Sequence, residues 1–226
     1  MWSSDTETLS ATARALSGRK ELTLREGANH AESPLLKSDV LLLLGADSRA
    51  AKRGEIDRAA LARRWHDRQI HQELMAAATP TRAQGALPSP NGGGLGRGLT
   101  EALEVARLDI LAAQHYDGVR HNLESWDKQR LAAEALSDEQ RNAEALAAYL
   151  RHELAGYQIP SALESSVIPA PSPVIPAKAG IQSHEIPAFA GMTEEVRKAL
   201  LGSITDQRKF HQLLQQWLST GSMEGG

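Results

Sequence analysis

The chain has no cysteine. Disulfides, thiolate metal sites and a cysteine nucleophile are therefore excluded, as expected in a reducing cytoplasm. Aromatic side chains are scarce, with Phe, Trp and Tyr making up 4% of the 226 residues. A core with so few rings must be built mostly from Leu and Ala, which suits helix-on-helix packing better than a β-sandwich. No window approaches the run of about 18 apolar residues that a membrane span requires. The opening MWSSDTETL lacks the basic and apolar regions of a signal peptide, so a cytoplasmic location is expected. Neither sign of charge dominates: a net charge of −3 gives no global attraction to nucleic acid. A nucleophile elbow of the G-x-S-x-G type is missing too.

The hydrophobic content, 41%, is enough for a substantial core. The most strongly patterned stretch is residues 99–131, which carry two apolar stripes where a surface helix has one. Leu99, Ala102, Leu103, Ala106, Ile110 and Ala113 fall on one side at about 100° per residue. Val105, Leu108, Ala112, Tyr116, Val119, Leu123 and Trp126 fall roughly opposite, with spacings alternating between three and four. A helix apolar on two sides must be covered on two sides. We expect the first stripe to pack on a helix over 55–78 and the second on a helix over 137–155. Gly118 lies between Tyr116 and Val119 and costs about 1 kcal/mol inside a helix, so it marks a kink or break.

Taken in order, Ser4 and Glu7 have capping-box spacing ahead of a short helix over 5–17, with Gly18 as its stop. ELTLRE (21–26) alternates, with Leu22 and Leu24 on one face, and Val40–Leu44 could pair with it as a small ribbon; a buried helical turn is the alternative for that second run. In the 55–78 helix, Arg63 and Asp67 fall inside the apolar arc. Either they form an inward i,i+4 pair, or the helix rotates to bring both charges to solvent. TPTRAQGALPSPNGGGLGRG (79–98) has no G-x-G-x-x-G spacing, no following Lys-Ser/Thr and no preceding strand, so it reads as a linker and not as a phosphate loop. Ser137 and Gln140 open a capped helix with a single stripe ending at Gly156, and Thr193 and Thr205 are the expected caps of two short C-terminal helices. The final STGSMEGG reads as the start of a flexible linker.

Between 166 and 193 the composition shifts to a proline-rich segment in which IPAKAGI (175–181) recurs as IPAFAGM (186–192). VIPAKAGIQ and IPAFAGMT resemble the translated form of dispersed palindromic DNA repeats found in unrelated bacterial proteins. A disordered insertion is expected, with a proline-rich ligand for a recognition module as the alternative. The resulting expectation is a mainly α fold: an irregular helical bundle with a two-stranded β ribbon near the N-terminus. Residues 1–165 form the helical region, 166–193 the insertion, and 194–226 the C-terminal helices and start of a linker.

The densest chemistry is RRWHDRQIH, 63–71. His66 and His71 are five apart, about 140° around a helix, whereas two metal ligands on one face need i,i+4. Asp67 and His71 have that spacing, but two ligands without a third do not make a site, so neither a metal site nor a catalytic residue is assigned. The stretch 49–71 has seven Lys/Arg against three Asp/Glu. Such a run is a solvated face, a docking surface for an acidic partner or, in a stand-alone helical module, a nucleic-acid face.

Arg53-Gly54-Glu55 with Asp57, followed by ALARRWHDRQIH from Ala60 to His71, resembles the RGExD…ALxxRxHDxxLH signature of the CobT subunit of aerobic cobaltochelatase. EALEVARLDILAAQHYDGVRHNL resembles that family's E-x-A-R run followed by GVxxNL, here Gly118, Val119, Asn122 and Leu123. ELTLRE is similar to its early strand and DQRKFHQLLQQWL to the helix before its linker. The resemblance implies a non-catalytic subunit of the ATP-dependent complex that inserts cobalt into the corrin ring in cobalamin biosynthesis. Its partners would be an AAA+ subunit that hydrolyses ATP with magnesium and a large tetrapyrrole-binding subunit. No cofactor is expected in this chain. Family members continue through an acidic linker into a von Willebrand A domain with a DxSxS motif; Asp47-Ser48-Arg49 is the nearest match here, so the chain is expected to be the N-terminal region alone. Arg53, Glu55, Asp57, Arg64, His66 and His71 are the candidate partner-docking residues. The alternative is a stand-alone nucleic-acid-binding or protein-interaction module.

Overall fold

The computed structural model describes residues 3–26, 40–43, 48–78, 97–133, 135–163 and 192–221. The elements are α1 (Ser3–Ser17), β1 (Thr23–Glu26), β2 (Val40–Leu43), α2 (Arg49–Trp65), α3 (Arg68–Ala78), α4 (Arg97–His115), α5 (Val119–Ala133), α6 (Asp138–Ala155), a 3-10 turn (Ser161–Leu163), α7 (Glu194–Ser203) and α8 (Gln207–Gly221). The fold is mainly α. The two strands pair in parallel, Thr23 opposite Val40 through Glu26 opposite Leu43. Leu22 is buried and Leu24 packs on the same apolar cluster, as the alternation predicts. Leu44, the linker residues 79–96, the stretch 164–191 that holds most of the insertion, and the tail 222–226 lie outside the described residues.

Local signals explain several boundaries. Gly18 has φ 70° and ends α1, but that helix begins at Ser3, so Ser4 lies inside it and is not its cap. Ser137 accepts from Gln140 N and Gln140 reaches back, the expected capping box of α6, which stops at left-handed Gly156. Thr193 caps α7 by accepting from Val196 N. For α8 the cap is Asp206, whose Oδ1 accepts from Lys209 N at 3.0 Å, one residue later than Thr205. That helix also runs through Ser219 to Gly221, where the sequence suggested a linker.

Two long helices expected from the pattern are each broken. The 55–78 helix starts earlier, at Arg49 behind the Ser48 cap, and ends at Trp65. His66 turns extended, and Asp67 then caps α3, its Oδ1 accepting from Gln69 N at 2.8 Å and Ile70 N at 3.2 Å. The apolar periodicity runs on across this break, which is why it is invisible to a wheel; the cap residue is the only signal. Arg63 and Asp67 do not share one environment: Arg63 is buried and donates to Ala59 O at 2.7 Å, while Asp67 is exposed at its cap. The 99–131 helix breaks at Tyr116–Gly118, where Gly118 adopts φ 83°.

The two stripes are both covered, but by the opposite neighbours from those expected. Leu103 and Ile110 of the first stripe pack with Leu146, Leu150 and Leu154 of α6 and with Leu200, Phe210 and Leu214 of α7 and α8. In the second stripe, Ala112, Val119 and Leu123 pack with Ile56, Ala60 and Leu61 of α2, and Leu108 packs with Ala62. Periodicity fixes the direction of a stripe but not which helix meets it. The eighteen residues 79–96 can span about 60 Å, so chain connection does not choose a side either. The choice is made where α2 crosses α5: a Cβ on Gly54 would lie 2.0 Å from the backbone oxygen of Asn122 and 2.8 Å from Trp126 Cβ. Only glycine lets the two backbones meet that closely.

Candidate functional site

Three charges in the middle of α4 do not face water. With apolar residues around most of α4, a charge between Leu103 and Ala112 must lie within or between the stripes, and Glu104, Arg107 and Asp109 are all buried. Burying one such charge alone would cost several kcal/mol, so each requires partners. They find them in two centres.

The first centre takes one residue from each of four helices. Arg58 of α2 donates to Asp109 of α4 through Nε (3.1 Å) and Nη2 (2.6 Å), and to Asp127 of α5 through Nη1 (2.7 Å) and Nη2 (2.9 Å). Arg151 of α6 places Nη1 2.9 Å from Asp109 Oδ2 and 3.1 Å from Asp127 Oδ2. Two guanidiniums face two carboxylates, and at the edge Arg130 lies 3.5 Å from Asp127 while paired with Glu144 at 2.9 Å, so the charges balance. Burial pushes the Asp127 carboxyl up, but Arg151 and Arg58 outweigh it and hold the group well below the usual carboxylate range. Tyr157 closes the centre by donating to Asp109 O at 2.8 Å; burial and the nearby Asp109 keep its phenol protonated.

The second centre is built on Glu104. Its Oε1 lies 2.8 Å from His66 Nδ1 and 2.7 Å from Arg107 Nη2; its Oε2 lies 2.8 Å from Arg107 Nε and 3.0 Å from His211 Nε2. Because a carboxylate only accepts, these contacts place the ring protons on His66 Nδ1 and His211 Nε2. Burial favours the neutral acid, yet the donors from Arg107, His211 and His66 together hold Glu104 well below the usual range. Arg107 also donates to Ile204 O at 2.8 Å and Trp65 O at 3.1 Å, so it satisfies carbonyls at the ends of α7 and α2. Gln207 accepts from Asp67 N at 2.8 Å and ties α8 to the α2–α3 corner.

The six candidate docking residues separate on this frame. Glu55, Asp57 and His66 are buried within the chain, unlike the solvated docking face the sequence suggested. Asp57 accepts from Asn122 Nδ2 at 2.9 Å and faces Arg53 Nε at 3.5 Å; burial raises its pKa against these two partners. Arg53 is one-third exposed. Arg64 is exposed, donates to Leu16 O at 3.2 Å and sits 5.8 Å over the Trp65 ring. Trp65 in turn lies beside His115 and Tyr116, with ring centroids 5.4 and 5.9 Å away. His71 is half-buried against His66. Of the seven cations in 49–71, Arg58 and Arg63 are interior, which thins the basic face. Among the described residues, no group of three or more His, Asp or Glu could hold a metal ion, and no helix is long and apolar enough to cross a membrane.

Sequence reasoning missed Arg58, Glu104, Arg107, Asp109, Asp127, Arg151 and His211. The signal was available for the α4 residues, since a helix apolar on two sides leaves its charges nowhere to go. For Arg58, Asp127, Arg151 and His211 it was not, because each becomes interior only through the crossing of separate helices.

These features define a helical scaffold whose interior charges fix how its helices cross. The family model described as "Cobalamin biosynthesis protein CobT" matches residues 6–181, and the chain belongs to this family, which takes part in cobalamin biosynthesis in a cobaltochelatase complex. Neither a curated protein nor a solved structure matched the chain. The motifs that carried the resemblance meet in space: Gly54 abuts Asn122, Asp57 accepts from Asn122, and His66 pairs with Glu104.

Proposed function

We propose that this chain is a non-catalytic assembly subunit of the ATP-dependent cobaltochelatase, joining an AAA+ subunit to a large tetrapyrrole-binding subunit while cobalt is inserted into the corrin ring. The family match over 6–181 carries this reading. ATP hydrolysis with magnesium is assigned to the AAA+ partner and cobalt is the cargo of the complex. The interior centres suit a scaffold: the buried charges are spent on holding helices together, and the docking role falls to exposed cations at the end of α2 and the start of α3, Arg64 and Arg68, with Arg53, one-third exposed, farther back along α2. Exposed cations of this kind steer an acidic partner surface and set its register. Co-purification with the AAA+ subunit tests the assignment. The R64E/R68E double variant is expected to weaken capture at least tenfold while the circular dichroism spectrum is unchanged. Undiminished capture removes these residues from the interface, and no capture by the wild-type chain removes the assembly role.

A further inference from the structure

Helix α3 contributes no residue to the apolar clusters formed by the described residues. Its Ile70 and Leu74 are half-buried. The Arg208–Glu73 pair links α3 to α8 at 2.5 Å, but both side chains are about half exposed, and such a pair is worth little. The residue that α3 sends inward is His71. Its ring stands edge-on to His66, 4.9 Å between centroids at 68°, and its Nδ1 is buried and meets no hydrogen-bond partner among the described residues.

The charged groups facing His71 come from three elements: Glu101 and Glu104 on α4, His66 at the end of α2, and His211 on α8. Glu104 attracts an imidazolium, but Arg107 already lies against both of its oxygens. Burial and the adjacent His66 together hold the His71 imidazole below its ordinary range, against the pull of Glu104 and Glu101.

We propose that His71 is a proton-operated latch for α3: neutral, it lets the helix lie against α4 and α8, and protonated, it releases the helix to water. The reason lies in the geometry. An imidazolium carries an N–H on both ring nitrogens, so charging the docked ring buries a donor at Nδ1 with no acceptor, next to another histidine. Undocking hydrates it. A free imidazole titrates near 6.5, so if the docked ring refuses the proton, opening is favoured about tenfold more at pH 5.5 than at pH 7.5.

Amide hydrogen exchange on the full chain, corrected for the intrinsic rate at each pH, tests the latch. Protection of 70–78 is expected to fall about tenfold from pH 7.5 to 5.5 while that of 143–154 in α6 holds. In His71→Gln, which cannot take up a proton, protection of α3 is expected to be independent of pH. Unchanged wild-type protection, an equal loss in the variant, or an equal loss in α6 overturns the proposal. Titration of the His71 ring by NMR in the wild-type chain gives a reading that needs no variant: a midpoint at or above that of free histidine also overturns it.

Discussion

Asp109→Asn is the sharpest test of the four-helix centre. The carboxylate accepts three hydrogen bonds, two from Arg58 and one from Arg151, with all three side chains buried. Replacing it by the amide keeps the volume but leaves two guanidiniums facing the single carboxylate of Asp127, and aims an NH2 group at a cation. Removing one partner of a buried ion pair costs about 3–5 kcal/mol, because the surviving charge keeps its desolvation penalty. In a chain of this size each kcal/mol moves the melting temperature by about 2–4 °C, so a fall of about 6–20 °C is expected in thermal unfolding followed by circular dichroism. Lys198→Met is the control: its pair with Glu194 is largely exposed on α7, and a change within about 0.5 kcal/mol is expected. Adding Arg151→Met to Asp109→Asn restores one cation to one carboxylate and should recover more than half of the loss. A single-variant cost below about 1 kcal/mol, or a double variant showing the sum of both losses, would refute the account of the centre as a balanced charge cluster.

Other outcomes follow from features already described. Gly54→Ala gains about 1 kcal/mol of helix propensity, but its Cβ would lie 2.0 Å from Asn122 O, so a net loss of about 2–3 kcal/mol is expected in urea unfolding. Asp57→Asn should be neutral or stabilising by up to about 1 kcal/mol at pH 7, because burial outweighs its partners and raises the folded pKa; that raised pKa also means the wild-type benefits at Asp57 as pH falls towards the carboxylate range, a gain the variant lacks. Glu104 and Asp127 have the opposite sign: their depressed folded pKa values contribute stability that is complete above the ordinary carboxylate pKa and is lost as pH falls below about 4. Acid unfolding monitored through α2, α5 and α6 should therefore begin below about pH 4, separated from any event centred on histidine.

The elements were largely legible because each announces itself locally. Ser137 with Gln140, Gly18, Gly156 and Thr193 act within one turn of their own position, so their effect does not depend on the rest of the chain. The β pairing was legible from alternation around Leu22 and Leu24, though its parallel sense was not, since a four-residue run carries no direction. What failed was arrangement. The break at His66–Asp67 rests on a contact to Glu104, 38 residues away, and on Gln207, 140 residues away. The exchange of partners between the stripes of α4 and α5 depends on a glycine in another helix. A cluster such as RRWHDRQIH looks like a surface in one dimension and supplies interior ties in three.

The four-helix centre also divides its own four charges between two pieces of sequence. Among the described residues up to Ala78 its member is the cation Arg58; from Arg97 onward come two carboxylates and one guanidinium, Asp109, Asp127 and Arg151. Each piece is thus one charge out of balance by itself, and in opposite directions. A scission anywhere in 79–96 would therefore leave two fragments that each carry an electrostatic debt only the other can cancel, so the nicked protein should behave as a non-covalent dimer of its own halves.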